Sequence, residues 1–239
     1  MSERIALVTG ASRGIGYHAA LALAKAGCHV IALARTQGGL EELDDAIRDA
    51  GSSATLVPLD LRDFDGIERL NPALHERFGR LDVLFGNAGI LGTPTPLGHL
   101  KPDEWQAVLD VNLSANFRLI RALEPLLHQS KAPRALFATS CTPRNERAYL
   151  GAYSATKSGL EALVRTWAKE NRTTGLKANL LDPGTVATRM RAQYAPGEDA
   201  SALTRPDALA DTIVDLLAAE NERSGETYSF SRRVWLTGD

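Results

Sequence analysis

Tyr153 and Lys157 stand four residues apart in AYSATKSGL, which runs from Ala152 to Leu160 and reads as the start of an amphipathic helix. A helical turn takes about 3.6 residues, so the phenol and the ammonium group share a face. The chemistry open to such a pair is proton transfer. A free tyrosine has a pKa near about 10 and is a poor base at neutral pH, but an adjacent cation stabilises its phenolate. Tyr153 could then exchange a proton with a hydroxyl or carbonyl oxygen while hydride moves at the neighbouring carbon. A Tyr-x-x-x-Lys pair alone is also common on exposed helices, so its surroundings must decide.

The segment VTGASRGIG supplies a second constellation, with Gly10, Gly14 and Gly16 between a strand-like run and a helical one. Residues without a side chain permit a tight turn and let backbone amides approach a pyrophosphate at a helix N-terminus. The second strand ends in Ala34 and Arg35, with no acidic residue from His29 to Thr36. A dinucleotide fold that selects NAD usually places an acid there for the ribose hydroxyls. Arg35, together with Arg13 inside the glycine loop, instead suits a 2′-phosphate, because charge-assisted hydrogen bonds to phosphate are strong. The expected cofactor is NADP(H), with NAD(H) possible.

The elements that must position these residues follow from patterning. Strand candidates are residues 4–9, 29–34, 54–59, 81–87, 134–140, 177–182 and 226–230, several of them continuous apolar runs suited to a sheet covered on both faces. Helical periodicity falls at about 14–26, around Leu40, Leu43 and Ile47, over 102–127, over 158–170, and over 206–220, where Pro206 fits a first turn. Strand–helix alternation along the chain predicts right-handed crossovers. The expected fold is one α/β domain over residues 1–239, a Rossmann-type doubly wound parallel sheet of about seven strands flanked by helices on both faces.

Composition narrows the function further. Hydrophobic residues make up 44% of the 239, charged residues 23%, and the formal net charge is −2, so no nucleic-acid or membrane partner is expected. No apolar run reaches membrane-spanning length, and a cytoplasmic protein is the simplest reading. Cys28 and Cys141 show neither metal-ligand spacing nor a disulfide framework, so no metal is expected.

Taken together, these segments resemble the short-chain dehydrogenase/reductase family from Thr9 to about Leu217. TGASRGIG is similar to its cofactor loop, LDLRD to its adenine-contact segment and GNAGI to its fourth-strand motif. VNLSANF is similar to its helix asparagine motif, YSATK to its active-site pair and DPGTVAT to its nicotinamide-side loop. The resemblance implies an oxidoreductase that interconverts an alcohol and a carbonyl. Tyr153 would be the general acid/base, and Ser140, thirteen residues earlier, would hydrogen-bond the substrate oxygen. Lys157 would lower the Tyr153 pKa and hold the nicotinamide ribose, while Asn112 would support a water that relays protons. Gly10, Ser12, Arg13, Gly14, Ile15 and Gly16 would cradle the cofactor, with Arg35 at its adenosine end. Asp60 and Leu61 would meet adenine; Asn87, Ala88 and Gly89 would line the adenosine ribose side. Pro183, Gly184, Val186 and Thr188 would approach the nicotinamide. A homotetramer or homodimer joined through helices at about 102–127 and 153–171 is likewise implied, as is a small-molecule substrate. Reduction of an oxoacyl carrier thioester, or cofactor sensing without turnover, remain open as alternatives.

Some segments depart from the pattern. Gly86 replaces a first asparagine, which would loosen a strand-bridging hydrogen bond. The C-terminus carries Arg232, Arg233 and Trp235 where a glycine-rich close is expected. The segment after Ser140, with Arg144, Glu146 and Arg147, could meet an anionic substrate, or could form a solvated loop or intersubunit salt bridges; the latter is the simpler reading. Residues 189–205 could be a lid, with Met190 and Tyr194 as apolar contacts, or an ordinary surface loop.

Overall fold

A computed structural model describes residues 3–145 and 147–236. The first half runs β1 (Arg4–Thr9), α1 (Gly14–Lys25), β2 (Cys28–Ala34), α2 (Gln37–Asp49), β3 (Ala54–Pro58), α3 (Phe64–Glu68), α4 (Leu70–Phe78) and β4 (Val83–Gly86). Then come α5 (Pro102–Leu109), α6 (Ala115–Leu127), β5 (Arg134–Ala138), α7 (Thr142–Asn145) and α8 (Gly151–Glu170). The chain continues through β6 (Lys177–Asp182), α9 (Arg189–Tyr194), α10 (Ala210–Leu216), β7 (Thr227–Ser229) and β8 (Val234–Leu236).

Among the described residues the strands form one sheet of eight, ordered β3-β2-β1-β4-β5-β6-β7-β8. All neighbouring pairs but the last are parallel. Winding reverses between β1 and β4, which opens a crevice at their carboxyl ends, where doubly wound folds bind ligands. Side chains alternate across the sheet. On β1, Ile5 and Leu7 join the core beneath α4, α6 and α8, while Ala6 and Val8 join the core beneath α1, α2 and α10.

Two outcomes differ from expectation. The long helix at 102–127 is divided by a π turn at Asp110–Ser114, which carries Asn112 into the interior. The C-terminal tail is an eighth, antiparallel strand. Its turn places Arg233 at φ 54°, and Trp235 packs edge-on against Tyr228 with ring centroids 5.3 Å apart. Trp235 thus supplies by aromatic packing what a glycine-rich close does not, and a three-residue edge strand leaves little exposed edge.

The Gly86 substitution also has a local reason. Gly86 pairs with Phe137 across β4 and β5, and a Cβ at position 86 would run into the Phe137 ring. Phe137 occupies the space a longer side chain would need. The bridge from β4 to β1 is made instead by Asn87, whose Nδ2 donates to the Thr9 carbonyl at 3.1 Å, and by the Thr9 hydroxyl, which accepts from the Asn87 and Ala88 amides at 3.0 Å each.

Candidate active site

A cleft of about 930 Å³ lies along the carboxyl edge of the sheet. At its base the chain leaves β1 through Gly10, at φ +67°, and enters α1 through Gly14, at φ +58°. Both values lie in the left-handed region that glycine enters without penalty. Gly16 sits within the first turn of the helix and is buried; a Cβ there would overlap the Gly10 carbonyl and crowd the Asn87 amide. The three glycines therefore keep the backbone open where a pyrophosphate would lie against the first turn of α1. Ser12, Arg13 and Ile15 line the same wall. Residues present here fit a dinucleotide.

At one end of the cleft Arg13 and Arg35 face it together with Ala34 and Thr36. The Arg35 side chain is 62% exposed and lies 3.7 Å from Asp60 Oδ2. Arg62 holds the same carboxylate at 2.7 Å and, through this hydrogen bond first, brings the Asp60 pKa down to about 2. Asp60 thus anchors two arginines, and with Leu61 it lines this end of the cleft. Asn87, Ala88 and Gly89 continue the wall toward the centre.

At the other end stand Tyr153 and Lys157, both buried on the first turns of α8. Lys157 Nζ lies 5.7 Å from the Tyr153 ring centroid and donates to the Ala138 carbonyl at 2.7 Å. Burial pulls Lys157 down to about 8, against the opposing pull of Glu161. Burial likewise pushes Tyr153 up to about 12; a hydrogen bond with Ser140 lowers it, while the charges of Asp182 and Cys141 add to the rise. The sequence expectation of a depressed phenol is therefore not met by the protein's own groups. Desolvation outweighs the cation, whose ammonium is aimed at a backbone carbonyl.

Ser140 does not line the cleft wall itself. It leaves β5 in a local turn, with its hydroxyl 2.6 Å from that of Thr142 and accepting from the Thr142 amide at 3.2 Å. Asn112 is fully buried behind the wall. Its Oδ1 accepts from the Ile90 amide and its Nδ2 donates to the Ile90 carbonyl, both at 2.8 Å, and Nδ2 also reaches the Thr156 hydroxyl at 3.2 Å. The Asn112 carbonyl accepts from Asn116 Nδ2 at 2.8 Å. Asn112 therefore ties the strand β4 exit to α8, one residue from Lys157, and a Cβ on Gly89 would touch both Asn112 and Lys157.

Beyond β6, Pro183 and Thr188 line the cleft. The Gly184 amide donates to Asp182 Oδ1 at 3.1 Å, and Val186 bridges to Thr204. The Thr188 hydroxyl caps α9 by accepting from the Arg191 amide at 3.2 Å. Helix α9 then lies across the site. Met190 and Tyr194 pack with Leu91, Leu150 and Tyr153, and Gln193 Nε2 donates to the Gly92 carbonyl at 3.0 Å. Arg191 pairs with Glu198 through two contacts of 2.5 and 2.6 Å. This segment packs over the Tyr153 ring.

The cleft also includes residues that patterning did not single out, among them His18 and Thr36. For His18 the signal was present, since it follows Gly14 by one helical turn and shares its face. In the charged segment after Ser140, Arg144 pairs with Asp182 and Glu161 of the same chain while 36% of its side chain stays exposed. Glu146 lies outside the described residues. No group of three or more His, Cys, Asp or Glu side chains suited to a metal occurs among the described residues, and none of their helices is long and apolar enough to cross a membrane.

A doubly wound sheet with a glycine cradle and a buried Tyr–Lys pair at its carboxyl edge defines a nucleotide-binding α/β protein equipped for proton transfer. The family model for short chain dehydrogenase matches residues 4–199, and the chain belongs to this family of oxidoreductases. It is 35% identical over 232 residues to the uncharacterized oxidoreductase YciK of Escherichia coli K12, covering 95% of this chain and 92% of the relative. A 3-oxoacyl-[acyl-carrier-protein] reductase of Synechocystis is 35% identical over 191 residues, 80% of this chain and 77% of the relative. The crystal structure of a short chain dehydrogenase from Shigella flexneri 2a, complexed with NADP, superposes with a TM-score of 0.91 at 34% identity over 96% of this chain and 97% of the other.

Proposed function

We propose that this chain interconverts alcohols and carbonyl compounds with NADP(H), using Tyr153 as the proton donor and acceptor. The observation that carries the reading is the placement of Tyr153 beside Lys157, both buried and both lining the cleft that begins at the glycine loop. Bound NADPH would supply hydride to the carbonyl carbon. Ser140, oriented by Thr142, would donate to the substrate oxygen and favour the charge that develops there. Tyr153, which retains its proton through neutral pH, would give it to that oxygen. Lys157 would offset the phenolate left behind, and Asn112 would hold the Ile90 segment against α8 and support a relay water.

Preference for NADP(H) is supported by Arg13 and Arg35 at the adenosine end and by the NADP bound in the Shigella relative. Around the phenol the covering side chains are Leu91, Leu150, Met190 and Tyr194, which favours carbonyl compounds with an apolar substituent. A 3-oxoacyl thioester, the substrate class named for the Synechocystis reductase, belongs to the same test. Assembly through α5–α6 and α8 in the cytoplasm accompanies this reading, supported by Phe117, 49% exposed on α6.

The test is NADPH consumption across a panel of aldehydes, ketones, quinones and 3-oxoacyl thioesters, repeated with NADH. Turnover with higher kcat/KM for NADPH is expected. Tight NADPH binding with no turnover on any substrate would overturn the reading in favour of a sensor, and higher kcat/KM with NADH would overturn the cofactor assignment.

A further inference from the structure

Behind the Tyr153 pocket lie two buried carboxylates, Glu161 at 5% and Asp182 at 4% exposure. Burying an ionised carboxylate without a partner is costly, so each needs a cation and hydrogen bonds. Glu161 stands on α8 two turns beyond Tyr153, and Asp182 ends β6 immediately before Pro183. One guanidinium reaches both. Arg144 Nη1 lies 3.2 Å from Glu161 Oε1, and Nη2 lies 2.5 Å from Asp182 Oδ2. Nη2 also lies 3.4 Å from the Ser140 carbonyl.

The remaining lone pairs are used as well. Glu161 Oε1 accepts from the Thr139 hydroxyl at 2.8 Å, and Oε2 lies 3.0 Å from Arg165 Nη2. Asp182 Oδ1 accepts from the Gly184 amide at 3.1 Å. Arg144 therefore joins the exit of β5, which carries Ser140; the helix that carries Tyr153 and Lys157; and the turn after β6. A solvated arginine on a surface loop would make none of these contacts.

We propose that Arg144 is a positioning residue: by pairing with both carboxylates it holds the Ser140 segment and the Pro183–Gly184 turn against α8. The proposal rests on the reading of Tyr153 as the proton-transfer group. Charged and titratable groups facing Tyr153 are Lys157 on its own helix, Cys141 after β5, Asp182 at the end of β6, and Tyr194 on α9. Of these, Asp182 is the one Arg144 touches. Its negative charge raises the Tyr153 pKa, so loss of the neutralising guanidinium must raise it further, and loss of the carboxylate must lower it.

Two measurements on Arg144→Met, Asp182→Asn and the double variant test this. The first is the pH dependence of kcat/KM for oxidation of the alcohol whose carbonyl turns over fastest in the substrate panel. Oxidation requires the phenolate, so its acid limb follows Tyr153. The second is the 13C resonance of ring-labelled tyrosine, assigned to Tyr153 by its absence in Tyr153→Phe, which needs no turnover. Arg144→Met is expected to move the limb and the NMR midpoint up, with kcat reduced roughly tenfold. Asp182→Asn keeps an acceptor for Gly184 and is expected to move both down. The double variant should return close to the wild type. Arg144→Lys, which keeps the charge but loses the fork, should lower kcat while leaving the limb in place.

A merely structural arginine would lower stability without shifts of opposite sign. Unmoved profiles in Arg144→Met, or shifts of the same sign in the two single variants, would overturn the proposal. If Arg144→Met fails to fold, Asp182→Asn decides alone, and an unmoved midpoint overturns it. Undiminished activity in Tyr153→Phe would instead remove the reading of Tyr153, whatever Arg144 does.

Discussion

At the glycine loop the protein makes room by leaving side chains out, whereas around Tyr153 it fills the space and balances charge. Gly10, Gly14 and Gly16 turn the backbone where a Cβ would collide with the Gly10 carbonyl or force a strained φ. The other end of the cleft has Tyr153 and Lys157 buried among apolar residues, with Glu161, Asp182, Arg144 and Arg165 closing an ionic network behind them. One end binds through backbone geometry and is indifferent to pH. The other depends on which groups are charged. The difference teaches that substitutions at the first end should act on affinity and stability, and at the second on rate and pH profile.

The largest expected effect that would sharpen this contrast comes from Gly16→Val. Overpacking costs about 1–3 kcal/mol, and a displacement of the loop by about 1 Å can cost roughly 100-fold in function. Calorimetry should show a Tm lower by several degrees, and fluorescence titration an NADPH affinity lower by about that factor. Unchanged binding would mean that the loop does not cradle the cofactor.

Arg35→Ser comes next. A charged hydrogen bond contributes about 1.5–3 kcal/mol, and the 62% exposure of Arg35 favours the low end, so the ratio of kcat/KM for NADPH over NADH should fall about tenfold. The pH profile should not move, because Arg35 stands at the affinity end. A shifted profile with an unchanged ratio would break the comparison.

The smallest effect is a pH limb at the Tyr153 end. Lys157, pulled down to about 8, carries its charge below that pH and loses it above. Tyr153, at about 12, keeps its proton across the same window. Carbonyl reduction followed by kcat/KM should therefore decline as pH rises through about 8. A limb found only above pH 10 would mean that Lys157 is not the charge that matters.

Much of the affinity end was legible in the sequence, because φ and close approach depend on single glycines and on their place between a strand and a helix. The exact span of β1 and β6 was legible for a similar reason, since continuous apolar runs end at charged or turn residues. The Tyr153 end was legible only in its residue types. That Arg144 turns inward depends on β5, β6 and α8 meeting in space, across separations of 17 and 38 residues that no local pattern encodes. The elevated phenol has the same origin, because burial is set, beside neighbouring Leu150, by Leu91, Met190 and Tyr194 from two distant segments. Short elements such as α3 and β8 escaped because five or three residues carry too little periodicity.

The central claim is that the Tyr153 hydroxyl transfers the proton. Single-turnover reduction by Tyr153→Phe, with NADPH bound in advance, tests it most directly. An unchanged NADPH dissociation constant is expected, with the chemical step slowed by about 100-fold to 10,000-fold. A folded variant that binds NADPH and reduces substrate near the wild-type rate would contradict it.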